Sequence, residues 1–238
     1  MTTVLVLLLA LPSAAAVRAM ITRPCAGTAI QRTAWRTRLP LACSTADPAS
    51  GLSVERLEVR SDDDPIGPAE AAGFDGLGVT VDRVTANLAE LAVTQPNALQ
   101  RAAFAPISTG RDVIVHAWTG SGKTLAFLLP LLERLDPSSR EPQALILCPS
   151  RELAFQTLRV AEAALAGSPL RAGGIVGGAN PNRQLEKIKK ERPQVLVGTP
   201  GRVCELAFEW RKLKLQRVRH VVLDEVRRAV RRRRRAHP

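Results

Sequence analysis

The sequence predicts an α/β fold in which a parallel β-sheet is covered by helices on both faces. Between residues 112 and 225, short runs rich in β-branched and apolar residues alternate with stretches of helical periodicity. The runs are apolar throughout rather than at every second residue, as in strands that are buried on both faces of a parallel sheet. A glycine-rich turn joins the first run to a helical stretch, which is a motif of this fold class.

Five runs are predicted as strands. In chain order they are DVIVHA at 112–117, QALILCP at 143–149, AGGIVGG at 172–178, QVLVGTP at 194–200 and VRHVVLDE at 218–225. With 45% hydrophobic residues in 238, the chain has enough apolar side chains to bury a core. Open α/β sheets bind ligands at the carboxyl ends of their strands, so functional residues are expected there.

Composition divides the chain into four segments. Residues 1–46 have the character of a targeting segment, and residues 47–73 are polar, turn-forming and aperiodic, which predicts a linker. The folded domain is predicted over 74–226. Residues 227–238 are rich in arginine, and both this tail and the N-terminal end are predicted to be disordered.

The first 46 residues predict import into an organelle. The opening MTTVLVLLLALPSAAAV is too short for a comfortable membrane span, so no stable membrane association of the mature protein is expected. The acid-free stretch behind it has the composition of a transit peptide. A signal-like run before a transit-like stretch resembles the two-part plastid presequence of algae, which favours a plastid over a mitochondrion. The alternatives are a secretory signal, a wrong start, or a nuclear or cytoplasmic location.

Net charge alone does not identify a partner. The chain carries +12, which by itself suggests nucleic acid. However, residues 1–46 and 227–238 together hold twelve of the 34 basic residues and none of the 22 acidic ones, so 22 basic residues face 22 acidic residues in between. The predicted domain is therefore formally neutral, and nucleic-acid binding by it must be argued from motifs.

The cysteines indicate neither a zinc site nor a disulfide framework, because they are widely scattered and contain no C-x-x-C pair. We interpret them as reduced thiols and expect Cys148 to be buried in a strand. The four are Cys25, Cys43, Cys148 and Cys204.

The turn AWTGSGKT at 117–124 predicts a site for a nucleoside triphosphate. Glycines there can adopt conformations that side chains forbid, so successive backbone N–H groups can point at phosphates, and the following helix adds the positive end of its dipole. Lys123 is placed to reach the β and γ phosphates, and the Thr124 hydroxyl can bind Mg²⁺. The predicted nucleotide-binding residues of this turn are Thr119, Gly120, Ser121, Gly122, Lys123 and Thr124.

An acidic pair ends the last predicted strand and complements this turn. Asp224 is predicted to hold the metal through its water shell, and Glu225 to orient or deprotonate the attacking water. With Lys123, these two carboxylates are the predicted catalytic residues.

The motifs between residues 74 and 225 resemble, in order, the first RecA-like domain of the DEAD-box RNA helicases. AWTGSGKT resembles A-x-T-G-S-G-K-T, PSRELAFQ at 149–156 resembles P-T-R-E-L-A, and TPGR at 199–202 matches without change. Gly177 and Gly178 match a paired-glycine motif, and VLDE opens the motif that names the family. The resemblance implies that the nucleotide is ATP, that the partner is RNA and that the fold is a P-loop sheet of the RecA-like type.

The resemblance also assigns further site residues. Phe74 and Gln100 match the Q motif, in which the glutamine reads the adenine edge and the aromatic ring stacks nearby. A second set of residues lies at the starts of helices that follow strands. Hydroxyls, cations and backbone N–H groups there can bind a sugar-phosphate backbone without contacting the bases. The predicted RNA-binding residues are Ser150, Arg151, Gly178, Thr199, Gly201 and Arg202.

The sequence departs from the family after Glu225. Where the family has alanine and aspartate, this chain has Val226 and Arg227, and neither a Ser-Ala-Thr motif nor a second RecA-like domain with its arginine fingers follows. In the family, the strand that leads to Ser-Ala-Thr lies between the phosphate-loop strand and the acid-pair strand. The arginine run cannot replace it, because buried charges would cost several kcal/mol each. A gap or a distorted sheet is therefore predicted.

The tail VRRAVRRRRRAHP is interpreted as sequence from outside the reading frame, and a genuine basic tail for nuclear entry or RNA retention is the alternative.

The leading functional prediction is the ATP-binding half of an ATP-dependent RNA helicase. It should bind nucleotide weakly and hydrolyse little alone, because arginines of the second domain stabilise the transition state. The alternative is a non-catalytic module that binds ATP and RNA. A different P-loop protein, such as a transporter ATPase or a small-molecule kinase, would leave the motifs TPGR and PSRELA unexplained.

Overall fold

A computed structural model describes residues 3–10, 43–46, 53–58, 73–81, 83–118 and 120–225. Most of the predicted targeting segment and linker, Thr119, and residues 226–238 with the arginine-rich tail lie outside these ranges. The described residues form an α/β fold with one sheet, as predicted.

Eight strands are present in the described part of the chain, and they include all five predicted ones. They are β1 (Thr3–Ala10), β2 (Cys43–Ala46), β3 (Ser53–Glu58), β4 (Asp112–Trp118), β5 (Ala144–Leu147), β6 (Ala172–Ile175), β7 (Val195–Gly198) and β8 (His220–Leu223). The observed β5 to β8 have four residues each and are shorter than predicted, because the residues at the ends of the apolar runs already belong to turns and helix caps.

Seven α-helices lie within the described ranges, followed by a π-helical turn at Glu205–Glu209. Local sequence explains where several of them begin: Asn97, Ser150 and Asn180 each accept a backbone N–H bond at a helix start. None of the helices in these ranges is both long and apolar enough to span a bilayer. The helices are α1 (Phe74–Leu77), α2 (Val84–Glu90), α3 (Ala98–Ser108), α4 (Lys123–Leu132), α5 (Arg151–Ala164), α6 (Pro181–Glu191) and α7 (Pro200–Cys204).

The sheet has the strand order β2-β3-β4-β1-β8-β5-β7-β6. Parallel pairing joins β3 to β4, and it also joins β8, β5, β7 and β6 in succession. Strand β1 is antiparallel to both of its neighbours, so β4 and β8 run in the same direction. The carboxyl ends of β4, β8, β5, β7 and β6 therefore lie at one edge, where the predicted site residues follow.

A gap or a distorted sheet was predicted between β4 and β8, and the gap is wrong, because β1 fills this position. Leu7 pairs with Ile114 of β4 on one side and with Leu223 of β8 on the other. Within the predicted targeting segment, residues 3–10 and 43–46 form β1 and β2 of the sheet. The physical reason is that a central position requires only an extended segment that is apolar throughout, and TVLVLLLA meets this requirement as well as it meets that of a leader peptide.

The linker prediction needs a similar correction at β3. Ser53–Glu58 extends the sheet in parallel beside β4, and the Glu55 carboxylate forms an ion pair with Arg111 at 3.0 Å. Only β2 lies beyond β3 in the sheet, and strands near a sheet edge tolerate polar and charged residues, so this sequence carried no apolar run that would indicate a strand.

The core confirms that helices cover both faces of the sheet. In β5, Ala144 and Ile146 belong to one buried cluster, whereas Leu145 and Leu147 belong to the other. Successive side chains of a strand point to opposite faces, so both faces are buried. Cys148 is fully buried as predicted, but it lies immediately after β5 and not in the strand; burial raises the pKa of its thiol to about 12.

We predict that Gly198→Ala destabilises the sheet at the end of β7. An added Cβ would lie 2.5 Å from the carbonyl oxygen of Ile175 and 3.1 Å from a methyl carbon of Val203, so the backbone would have to shift. Overpacking of this kind costs about 1–3 kcal/mol. Urea unfolding should show the loss as a lower transition midpoint.

Gly201→Ala is the matched control, because an added Cβ there meets nothing within 4 Å and the residue lies in helix α7. Alanine is the better helix former, so no loss of stability is expected. Equal midpoints for the two variants would contradict the steric argument.

Candidate functional site

The glycine-rich turn leaves the carboxyl end of β4 and enters α4. Gly120 and Gly122 have φ angles of +88° and +75°, in the left-handed region that side chains rarely adopt. An added Cβ at Gly120 would meet open space, whereas one at Gly122 would lie 2.7 Å from Nε2 of Gln100 and 2.9 Å from Nδ2 of Asn97. The first glycine is therefore required by conformation, and the second by conformation and close packing.

Lys123 is held by oxygens of the turn itself. Its Nζ donates to the carbonyl of Trp118, to the Ser121 hydroxyl at 3.3 Å and to the carbonyl of Ala117 at 3.5 Å. Partial burial lowers the pKa of Lys123, and the charges of Asp224 and Glu225 act in the opposite direction. The ammonium therefore lies at the rim of the turn, close enough to the acidic pair to interact with it.

The acidic pair follows β8, two positions from β4 in the sheet. Asp224 is 5% exposed, and its backbone N–H donates to the Leu147 carbonyl at 2.9 Å. Burial, with repulsion from Glu225, raises the pKa of Asp224 to about 6, although the charge of Lys123 lowers it. Lys123, Asp224 and Glu225 therefore interact electrostatically at this edge of the sheet.

Glu225 adopts a left-handed backbone conformation with φ +52°. This conformation is uncommon outside glycine, and such strained residues concentrate at functional sites. It turns the chain at the end of β8, directly after the buried Asp224 carboxylate.

The oxygen ligands expected for Mg²⁺ lie at this same edge. Thr124 is half-buried in the first turn of α4, and the Asp224 carboxylate follows β8. Within the described ranges, no group of three or more His, Cys, Asp or Glu side chains could hold a metal ion. A magnesium ion that is bound with a nucleotide needs only one or two protein oxygens beside phosphate and water, so the two residues fit that role.

Gln100 lies behind the glycine-rich turn at 117–124, the phosphate turn. Its side chain and that of Asn97 form a reciprocal capping box at the start of α3, with both bonds at 3.0 Å. Gln100 Nε2 also donates to the Gly122 carbonyl at 3.4 Å, and Asn97 Nδ2 donates to the Ser121 carbonyl at 3.0 Å. The predicted adenine-reading residue therefore contacts the backbone of the phosphate turn directly.

Phe74 occupies a different place from the one that the Q-motif resemblance implied. Its ring is 1% exposed and belongs to the larger core cluster. A base can stack only on an exposed ring face, so in this structure Phe74 is a packing residue of α1.

The paired glycines Gly177 and Gly178 lie against the side chain of Arg151. An added Cβ at Gly178 would overlap the guanidinium of Arg151, and one at Gly177 would lie 3.6 Å from Arg151 Nε. Gly178 has φ +87°, so both conformation and space require glycine there. The exposed Arg151 cation thus lies over the loop between β6 and α6.

Arg202 is bound within the protein. Its Nη1 donates to the Ala179 carbonyl at 2.8 Å and to Gln184 Oε1 at 3.0 Å, and its Nε pairs with Glu205 at 2.9 Å. The side chain is only 9% exposed. Its cation therefore holds the loop between β6 and α6, the paired-glycine loop, against α7.

The other predicted RNA-binding residues have a local structural role or an open position. Ser150 Oγ accepts from the Leu153 N–H at 3.2 Å as the cap of α5, and Thr199 Oγ1 accepts from the Gly177 N–H at 3.3 Å. Gly201 lies in the first turn of α7, where an added Cβ would meet nothing within 4 Å. Thr119, the remaining predicted nucleotide-binding residue, lies outside the described residues.

Two contributing residues were not predicted. Asn97 had a detectable signal, because N-A-L-Q before an apolar helix fits the capping-box pattern. Gln184 had none, since its partners are the Val176 carbonyl at 2.8 Å and Arg202, which is 18 residues away.

Comparisons with known proteins give one consistent family. The sequence model of the DEAD/DEAH box helicase family matches residues 97–237. The chain is 50% identical over 131 residues to "Probable ATP-dependent RNA helicase YfmL" of Bacillus subtilis, covering 55% of this chain and 34% of the relative. It is 39% identical over 170 residues to "DEAD-box ATP-dependent RNA helicase 47, mitochondrial" of Arabidopsis thaliana, covering 66% and 30% respectively. The chain spans about a third of the length of these relatives.

Solved structures agree with this result. A DEAD box protein from Methanococcus jannaschii superposes with a TM-score of 0.54 at 26% identity, over 63% of this chain and 40% of that one. S. cerevisiae Dbp5 bound to Gle1 and IP6 also gives a TM-score of 0.54, at 33% identity over 63% and 38%.

We predict that Asp224→Asn raises the free energy of unfolding at pH 7 in the absence of nucleotide, by about 1–3 kcal/mol. The folded-state pKa of Asp224 is raised to about 6. The ionised carboxylate therefore destabilises the fold above pH 6, and this destabilisation disappears as pH falls through 6 towards 4. The difference between variant and wild type, measured by urea unfolding, should be largest at pH 7 and near zero at pH 4.

The stability difference between Asp224→Asn and wild type must be compared with that of a matched surface variant, because protonation of His220 changes the stability with pH in the opposite direction. Burial lowers the pKa of His220 to about 4, so the fold loses stability as pH falls from about 6.5 to 4 in every variant. Glu186→Gln removes an exposed carboxylate on α6 and should show no such pH-dependent gain. A pH-independent difference for Asp224→Asn would refute the assignment of a buried, destabilising charge.

Proposed function

The chain belongs to the DEAD/DEAH box helicase family, and from this premise we propose that residues 74–226 are the ATP-binding half of an ATP-dependent RNA helicase. The observation that carries the proposal is the electrostatic proximity of Lys123 to the buried Asp224 and to Glu225, at the carboxyl edge of parallel strands. Phosphoryl transfer requires a cation for the phosphates and carboxylates for metal and water at one place. RNA-stimulated ATP hydrolysis and duplex unwinding are proposed for the complete protein.

The backbone N–H groups of Gly120, Ser121 and Gly122 would hold the phosphates at the start of α4. Lys123 would exchange its bonds to turn oxygens for bonds to the β and γ phosphates, which are stronger acceptors. Thr124 and Asp224 would hold Mg²⁺, which when bound neutralises charge on the phosphates. Glu225 would orient the attacking water.

Gln100 is proposed to connect the base to the phosphate turn. Its Nε2 bond to the Gly122 carbonyl is 3.4 Å, the longest of its contacts, and can be exchanged for a bond to adenine. The Oε1 bond to the Asn97 N–H would keep the side chain in place during this exchange.

The RNA surface is proposed to be the paired-glycine loop with the helix starts beside it. Arg151 supplies an exposed cation, Gly178 and Gly201 leave their backbones accessible, and Ser150 and Thr199 supply hydroxyls. These groups can grip phosphates and sugars without reading bases. Arg202 is proposed to act as a brace for the loop rather than as a phosphate ligand, because its Nη1 donates to Ala179 and Gln184 and its Nε is ion-paired with Glu205.

Low activity is proposed for the 238-residue chain by itself. The two relatives are matched over only 34% and 30% of their own length, and the second RecA-like domain is proposed to supply the arginines that stabilise the transition state. A module that binds ATP and RNA without turnover is the second candidate, favoured by the departure from the family at Val226 and Arg227. An organelle, with a plastid as the specific compartment, is the proposed location.

Lys123→Ala should weaken the binding of a fluorescent ATP analogue by at least tenfold, because the cation that faces the phosphates is lost. Lys187→Ala is the matched control, since Lys187 is an exposed lysine of α6 that pairs with Glu162 and Glu191. Titration by fluorescence anisotropy measures both. Unchanged affinity in Lys123→Ala would contradict the nucleotide site, and clear turnover by the wild-type chain would contradict its low activity alone.

Arg202→Gln and Gln184→Ala should weaken single-stranded RNA binding by similar factors, and the double variant should add little, because both act through one loop. Neither should change the slope of log affinity against log salt, since no phosphate contact is lost. Arg151→Gln should reduce that slope by about 0.7. A reduced slope for Arg202→Gln would show that Arg202 contacts phosphate directly.

A further inference from the structure

A segment from the N-terminal end of the chain separates the two halves of the proposed nucleotide site. Strand β1 lies between β4, which ends at the phosphate turn, and β8, which ends at the acidic pair. Leu8 pairs with Val113 of β4 on one side and with Val222 of β8 on the other. The resemblance to the family gave this position to a different strand, and nothing in the sequence assigned it to residues 3–10.

We infer that Thr3–Ala10 is a positioning segment of the nucleotide site, an inference that rests on the proposed ATP-binding function. Inserted between β4 and β8, it fixes the distance at which Lys123 faces Asp224 and Glu225. A segment with the composition of a leader peptide would thus be a structural part of the ATP site.

The regular spacing of strands in a sheet gives the separation that β1 imposes on β4 and β8. Neighbouring strands lie about 4.8 Å apart, so β4 and β8 are held roughly 9–10 Å apart by the strand between them. Direct pairing of β4 with β8 would bring the acidic pair about 5 Å closer to the phosphate turn. A shift of 1 Å at a reacting centre can already reduce a rate by about a hundredfold.

Leaving the position between β4 and β8 empty would also be energetically unfavourable. Four valines of β4 and β8 opposite β1 are buried: Val113, Val115, Val221 and Val222 are at most 2% exposed. Backbone N–H and C=O groups on their inner edges would lose their partners in this apolar environment, and each unpaired group costs about 1–3 kcal/mol. The position therefore requires an extended, apolar occupant, and TVLVLLLA is one.

The register of β1 leaves the site accessible. Pairing with β4 extends from Leu8 to Thr3, opposite Trp118, whereas pairing with β8 ends at Leu7, opposite Leu223. The first four residues of β1 therefore pair with β4 beyond the last residue of β8. The segment supports the strand that enters the phosphate turn without pairing with Asp224.

Register-specific disulfide formation tests the placement. In the full chain, Leu8→Cys with Val222→Cys joins directly opposed residues of antiparallel strands, whose Cα separation of about 4.5–5.5 Å permits a disulfide. Leu8→Cys with Val221→Cys is the matched control, because adjacent residues of a strand point to opposite faces. Mild oxidation followed by peptide mass spectrometry should detect the 8–222 bond in at least tenfold excess over the 8–221 bond. Equal yields would overturn the placement.

Charge substitution tests the positioning role. Leu8→Asp should increase amide exchange in β4 and β8 at least tenfold and weaken binding of the fluorescent ATP analogue at least tenfold. Exchange in β6 and β7, at the far side of the sheet, should change less than twofold. Ala16→Asp introduces the same charge outside β1 and should leave both readouts within twofold of wild type.

Each outcome decides the inference. Unchanged nucleotide affinity in Leu8→Asp would overturn it, and so would an equal loss of protection in β6 and β7, which would indicate general unfolding rather than positioning. A wild-type chain that fails to bind the ATP analogue would contradict the proposed function instead. The disulfide yields and the exchange of β4 and β8 would still decide whether residues 3–10 occupy the sheet.

Discussion

The interaction on which the site depends is the attraction between the ammonium of Lys123 and two carboxylates at the end of a neighbouring part of the sheet. Asp224 is buried, and its pKa is raised to about 6 because burial and the adjacent Glu225 both disfavour its charge. A charge kept in such a position destabilises the fold. Its occurrence opposite a half-buried lysine at the carboxyl edge of parallel strands is more readily explained by phosphate and metal chemistry than by stability.

The sheet turns this local interaction into a site because its strands deliver their carboxyl ends to one edge. The phosphate turn follows β4, the acidic pair follows β8, and Arg151, the paired glycines and Thr199 follow β5, β6 and β7. Side-chain bonds then connect these turns to one another. Gln100 contacts the phosphate turn from behind, and Arg202 and Gln184 hold the paired-glycine loop. The proposed nucleotide and RNA surfaces are therefore neighbouring parts of one edge of the sheet.

The structure changes the interpretation of individual residues more than it changes the fold. Arg202 was assigned to RNA by the family resemblance, whereas in the structure its Nη1 donates to Ala179 and Gln184 and its Nε is ion-paired with Glu205. Phe74 was predicted to stack near adenine, yet it is a core residue. Sequence motifs indicate that a residue matters at a site, and they do not distinguish a ligand from a residue that supports the site through another group.

The sequence by itself determined the five apolar strands, the phosphate turn and the acidic pair, because buried parallel strands, left-handed glycines and paired carboxylates leave local signatures. Only the tertiary structure decided that Thr3–Ala10 lies between β4 and β8, and that Ser53–Glu58 extends the sheet. An apolar run has the same composition in a leader peptide as in a central strand. Which of the two it forms depends on backbone partners more than 100 residues away, on β4 and β8, and no local pattern contains that information.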